Sequence, residues 1–131
     1  MTAHHRVGRL ADFPEGSHLV VDAGGREIGI FNVRGRLYAL PNVCLHQSGP
    51  LCRGRTSGTL AASAETGWKR VWIKEGEIII CPWHGLEFEI VTGRCLAFPR
   101  RRLPVYAVRV EGDGVFVSLG RAADQRREEA R

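Results

Sequence analysis

The chain has 131 residues, enough for one domain with a core of its own and too few for two. Hydrophobic residues make up 44% and charged residues 25%, the balance of an ordinary globular protein, and no apolar run approaches the ~18 residues of a membrane helix. The formal charge of +5 invites a nucleic-acid reading, but no nucleic-acid-binding motif accompanies it, and an acidic protein partner suits the same charge. The first nine residues lack the apolar stretch of a secretory leader, so a cytoplasmic, reducing location is expected. There, four cysteines point to metal ligation before disulfides.

Sixteen glycines, six prolines and many short β-branched runs predict an all-β domain. Residues 7–10 make a first strand, and residues 18–22 and 26–33 flank the turn Ala23-Gly24-Gly25. Arg34-Gly35 turns the chain into Leu37-Tyr38-Ala39-Leu40. Farther on, Glu75-Gly76 is expected to turn into a strand over 77–80, and residues 87–90 lead to a Thr92-Gly93 turn. Residues 103–110 alternate as a strand, and Glu111-Gly112-Asp113-Gly114 reverses the chain into 115–119. Strand and turn signals recurring this often predict a small antiparallel barrel or sandwich. Residues 121–131 read as a charged tail outside the 1–120 domain.

Two short stretches carry the chemistry. Cys44-Leu45-His46 and Cys81-Pro82-Trp83-His84-Gly85 each offer one thiolate and one imidazole, so Cys44, His46, Cys81 and His84 make a complete first shell. A tetrahedral structural zinc accepts this set. So does a [2Fe–2S] cluster with both Cys on one iron and both His on the other. The order Cys then His on both loops suits the dinuclear centre better.

The wider stretches, loop 44–51 reading Cys-Leu-His-Gln-Ser-Gly-Pro-Leu and loop 81–88 reading Cys-Pro-Trp-His-Gly-Leu-Glu-Phe, followed by Thr92-Gly93, resemble the Rieske-type [2Fe–2S] ferredoxins. These include the ferredoxin components of ring-hydroxylating dioxygenase systems. The resemblance covers about residues 7–119 and implies a Rieske antiparallel β-barrel or sandwich with a small cluster-binding subdomain. It implies that Cys44 and Cys81 hold the inner iron of one [2Fe–2S] cluster while His46 and His84 hold the outer one. It implies a one-electron carrier fed by a flavin-dependent reductase and drained by a terminal oxygenase or similar acceptor. A proline on a third loop covers the cluster in this family, and Pro99 is the candidate, with Pro104 second.

The departures from the pattern are informative. The respiratory branch carries an extra Cys on each cluster loop, joined by a disulfide, whereas Trp83 occupies that position here. That branch also places a Ser and a Tyr where this chain has Leu86 and Phe88. Fewer hydrogen-bond donors near the sulfurs predict a potential at the lower end of the range of about −150 to +300 mV. The interval 47–80 is longer than the family's, which predicts an extended hairpin insertion over about 57–75, beside the cluster, with a strand over 68–74 and a tip over 61–67.

Cys52 and Cys95 lack a ligand partner at motif spacing and read as free thiols; His4, His5 and His18 read as surface residues. Trp83 is expected to pack around the centre. Arg53, Arg55, Arg94 and Arg100-Arg101-Arg102 follow the two loops and are expected to form a positive rim. No catalytic acid, nucleophile or nucleotide loop stands out, so the chain reads as an electron-transfer component rather than a catalyst on its own. The alternatives are the small subunit of a nitrite-reductase-like or hydroxylase complex and a zinc-stabilised interaction domain.

Overall fold

The alternating segments become nine strands, three short 3₁₀ turns and no α-helix among the residues that the computed structural model describes, 4–43, 50–83 and 85–119. The strands are β1 His4–Arg9, β2 His18–Ala23, β3 Arg26–Val33, β4 Arg36–Pro41, β5 Arg55–Ala61, β6 Val71–Ile80, β7 Glu87–Glu89, β8 Ala107–Glu111 and β9 Gly114–Ser118. They form three antiparallel three-stranded sheets in the orders β1-β9-β8, β2-β3-β4 and β5-β6-β7, and no closed barrel is formed among the described residues. No helix among them is long and apolar enough to cross a membrane. The tail over 121–131 lies outside the described residues.

Strand β3 is the wall between two cores. Its side chains alternate in direction, so Ile28 and Ile30 join one cluster with Phe13, Ala39, Val115 and Val117, while Phe31 and Val33 join the other. That second cluster packs Leu51, Cys52, Ile79, Cys81, Phe88, Cys95 and Leu103 beneath the loops that the sequence singles out. Each fully buried Ile, Leu or Phe contributes about 1.5–3 kcal/mol, which holds the loop stems in place. The hairpin turns are side-chain assisted: Asp22 Oδ1 accepts the Gly25 N–H at 3.0 Å, and Asn32 Oδ1 accepts the Gly35 N–H at 2.8 Å.

Three expectations change. Glu75-Gly76 is not a turn between strands, because β6 runs unbroken through it. Ser57 pairs with Ile78 and Thr59 with Ile73, so the extra β6 residues bulge out, with positive φ at Lys74 and Gly76 absorbing the distortion. The alternation over 103–110 yields a strand only from Ala107, since β9 ends its pairing at Ala107↔Ser118 and Tyr106 instead bridges to Ala39. Finally, β5 and β6 do form a long hairpin, with β6 starting at Val71 rather than 68, but its tip is not beside the cluster loops. Arg55 pairs with Ile80, the residue before Cys81, and both strands run away from that point. The tip therefore stands at the opposite end of the sheet.

The register of this third sheet continues beyond β7. Cys95 bridges Phe88, the Leu96 N–H donates to the Glu87 carbonyl at 2.9 Å, and the Cys95 N–H donates to the Arg101 carbonyl at 3.1 Å. Residues 97–100 thus turn at the same end as Cys81.

Candidate metal centre

Cys81 follows directly on Ile80 at the end of β6 and is 1% exposed. Its N–H donates to the Leu86 carbonyl at 2.9 Å, and its own carbonyl accepts the Gly85 N–H at 2.9 Å. The second loop is therefore closed at its neck before any ligand is considered. Gly85 has φ of +71°, and a Cβ there would touch nothing within 4 Å, so torsion rather than space selects glycine.

The first loop is closed by different means. Asn42, just past β4, is buried, and its Oδ1 accepts the Cys52 N–H at 2.7 Å. The Asn42 N–H donates to the Glu27 carbonyl at 3.1 Å, tying the loop's entry to β3. Its exit, the 3₁₀ turn Leu51–Arg53, is held by burial of Leu51 and Cys52. Gly54 then lets the chain touch the neck of the other loop, since a Cβ there would lie 1.8 Å from the Ile80 carbonyl oxygen. Two cluster-loop stems are in van der Waals contact at this point.

His18 is not a free surface residue. Its ring stacks on Phe31 with centroids 5.3 Å apart, and Nε2 lies 3.0 Å from the Gly54 carbonyl. Neither Asn42 nor His18 stood out in the sequence, because each acts through a contact distant along the chain; no local signal marks them.

Cys44, His46 and His84 lie outside the described residues, as do Gln47, Ser48 and Gly49. Cys81 opens onto a cleft of about 450 Å³ lined also by Arg53, Gly54, Arg55, Ile80, Pro82 and Gly85. A buried thiol at such a cleft, between two closed loop stems, suits a soft, thiolate-bound metal centre. Leu86 and Phe88 approach the neck without a side-chain donor, and Phe88 is fully buried.

The remaining expected residues divide. Cys52 and Cys95 are buried free thiols. Burial pushes the Cys52 thiol up to about 12, outweighing a backbone hydrogen bond from Gly29 that lowers it. Arg94 is withdrawn from the rim: it meets Glu89 at 2.7 Å, where Lys74 also binds at 2.9 Å. Arg53 faces Glu27 at 3.3 Å. Trp83, expected to pack around the centre, is 57% exposed, and the ligand residues it would pack around lie outside the described residues. Pro99 is exposed on the 97–100 turn, and Pro104 is half-buried.

Comparison with known proteins agrees with this arrangement. The Rieske [2Fe–2S] domain model matches residues 3–107. The ferredoxin component of a naphthalene 1,2-dioxygenase system from Pseudomonas aeruginosa is 31% identical over 111 residues, 84% of this chain and 89% of that one. The ferredoxin of carbazole 1,9a-dioxygenase from Nocardioides aromaticivorans IC177 superposes with a TM-score of 0.63 at 25% identity, covering 89% of this chain and 96% of that one. The fold is also shared with a chain in the complex of reduced oxygenase and oxidized ferredoxin of carbazole 1,9a-dioxygenase (TM-score 0.66, 24% identity, 88% and 92% covered). The zinc alternative falls with these matches. The chain belongs to the Rieske [2Fe–2S] domain family, and it is an electron carrier with a Rieske-type [2Fe–2S] cluster.

Proposed function

We propose that Cys44 and Cys81 hold one iron of the cluster and His46 and His84 the other, within a domain spanning residues 1–120. In the same reading the protein accepts electrons from a flavin-dependent reductase and delivers them to a terminal oxygenase. The observation that carries the ligand assignment is the buried Cys81 thiol lining the cleft where the stems of both motif loops meet. The relatives named as ferredoxin components of dioxygenase systems support the partner assignment.

When bound, the cluster supplies one reversible one-electron step. The chain's own part is to keep that step fast and confined. Cys81 is buried against the hydrophobic core at the base of the cleft, and the paired hydrogen bonds at the loop neck hold its backbone when charge changes. Leu86 and Phe88 add no donor to stabilise the extra negative charge, which keeps the carrier reducing. The free buried thiols Cys52 and Cys95 suit a reducing cytoplasm, where we place the protein.

The test is iron and acid-labile sulfide content with an EPR spectrum after dithionite reduction. Two irons and two sulfides per chain and a rhombic signal of low average g are expected. Cys81→Ser or His84→Ala should abolish the signal, while Cys52→Ser and Cys95→Ser keep it. A cluster surviving Cys81→Ser would overturn the ligand assignment. Failure of a flavoprotein reductase to reduce the intact cluster would overturn the partner assignment.

A further inference from the structure

The strand register places two segments beside the second loop, one on each flank. On one flank stand Arg53 and Arg55, the latter paired with Ile80; on the other stands Leu96, bonded to Glu87, followed by the exposed turn 97–100. Neighbouring strands lie about 4.8 Å apart, so Arg55 and Leu96 are roughly 14 Å apart with the Cys81 loop between them. Two exposed aromatic side chains occur at this end: Trp83 at 57% and Phe98 at 50%.

The charge around them is predominantly positive. Arg55, Arg100, Arg101 and Arg102 form no ion pair among the described residues, whereas their neighbours Arg53 and Arg94 do. Arg101 instead lies 5.7 Å over the Phe98 ring, and Arg102 is bridged to Arg94, whose charge is taken up by Glu89. Of the nearby carboxylates, Glu27 is paired with Arg53, while Glu87 accepts the Thr59 hydroxyl at 3.0 Å and keeps its charge, one negative group against several arginines. Adjacent uncompensated arginines repel one another, a cost that a carboxylate-bearing partner removes.

We infer that this end of the molecule is a docking face for a protein whose contact surface is rich in carboxylates, with Arg55, Arg100 and Arg101 as the steering charges and Trp83 and Phe98 as the anchors. The inference rests on the carrier reading and adds the chemistry of the partner. An exposed aromatic centre within a cationic rim is the arrangement of a transient protein interface. The +5 charge of the whole chain adds a long-range term of the same sign.

The test uses the dithionite-reduced holoprotein and two one-electron oxidants. Hexacyanoferrate(III) is anionic and hexaammineruthenium(III) cationic; each takes one electron from the reduced protein and becomes the corresponding M(II) complex. Raising ionic strength from about 10 to 300 mM should slow the anionic oxidant roughly fivefold and leave the cationic one unslowed. Poly-L-glutamate should inhibit the anionic oxidant and poly-L-lysine should not. The triple variant Arg55→Gln, Arg100→Gln, Arg101→Gln should lose most of the salt effect. The control Arg6→Gln, Arg9→Gln, Arg109→Gln removes the same charge from the β1-β9-β8 sheet and should keep it. Equal salt effects in the two triples, or no salt effect with an intact EPR signal, overturn the docking face while leaving the carrier reading standing. Absence of the EPR signal from the wild type overturns the carrier reading itself.

Discussion

The side-chain oxygen of Asn42 accepts the backbone N–H of Cys52 at 2.7 Å, joining the residues on either side of the first motif loop. The Cys52 sulfur adds a second stitch, lying 3.4 Å from the Pro41 carbonyl and 3.7 Å from that of Leu40. The loop is thus closed at its base. Asn42→Ala leaves a buried N–H without a partner, a loss of about 1–3 kcal/mol in unfolding free energy. Iron release to a chelator, followed by bleaching of the visible absorption, should speed up in step, while Asn42→Asp, which keeps the acceptor, should lie between. An alanine variant with wild-type melting and wild-type iron retention would show that the clamp is idle.

Glu89 links the β6 bulge to the turn after β7 through Lys74 at 2.9 Å and Arg94 at 2.7 Å. Burial raises its carboxyl pKa, but hydrogen bonds and charge from Lys74 and Arg94 outweigh that, and the net shift is below the ordinary 4.5. As pH falls through that region the unfolded chain takes up the proton first, which favours unfolding. The stabilisation is therefore complete above pH 4.5 and drains away as pH drops through the folded value. Glu89→Gln should cost roughly 1–3 kcal/mol at neutral pH, because both cations are partly solvated and lose only part of their compensation. Denaturant curves for wild type and variant should converge toward acid; a difference constant with pH would argue against the linkage.

Leu86 stands at the neck of the second loop, its carbonyl engaged by the Cys81 N–H and its side chain without a donor. Leu86→Ser introduces a hydroxyl that can donate toward the sulfur-rich side of the loop. The reduced state carries the extra negative charge, so it gains more and the midpoint potential should rise. An increase of about 60 mV corresponds to ~1.4 kcal/mol for one electron, within the range of a hydrogen bond to a charged group. Protein-film voltammetry reads it directly, and an unchanged or lower potential would remove the donor-count explanation.

Much of this was legible residue by residue. Turns at Gly24-Gly25 and Arg34-Gly35 and the strands around them follow from local chemistry, as does the end of β6 at the Cys-Pro-Trp-His-Gly run. The reading failed where a local signal had a nonlocal purpose. Glu75-Gly76 carries the residues of a turn, yet the pairing of Ser57 with Ile78 and Thr59 with Ile73 turns it into a bulge. His18 has no motif around it, and its stacking on Phe31 depends on the β2–β3 pairing.

By itself, then, the sequence determined the chemistry: soft and imidazole donors at a spacing that two short loops can present, on strands whose lengths and turns are locally encoded. Tertiary structure alone decided the surroundings. It closed the first loop through Asn42 and pulled Arg94 onto Glu89 and out of the rim. It also sent the hairpin tip to the end opposite Cys81. The reason is physical: ligand identity is a property of single side chains, whereas burial, compensation of charge and the direction in which a loop faces depend on which strands pair, and pairing is settled only by the whole fold.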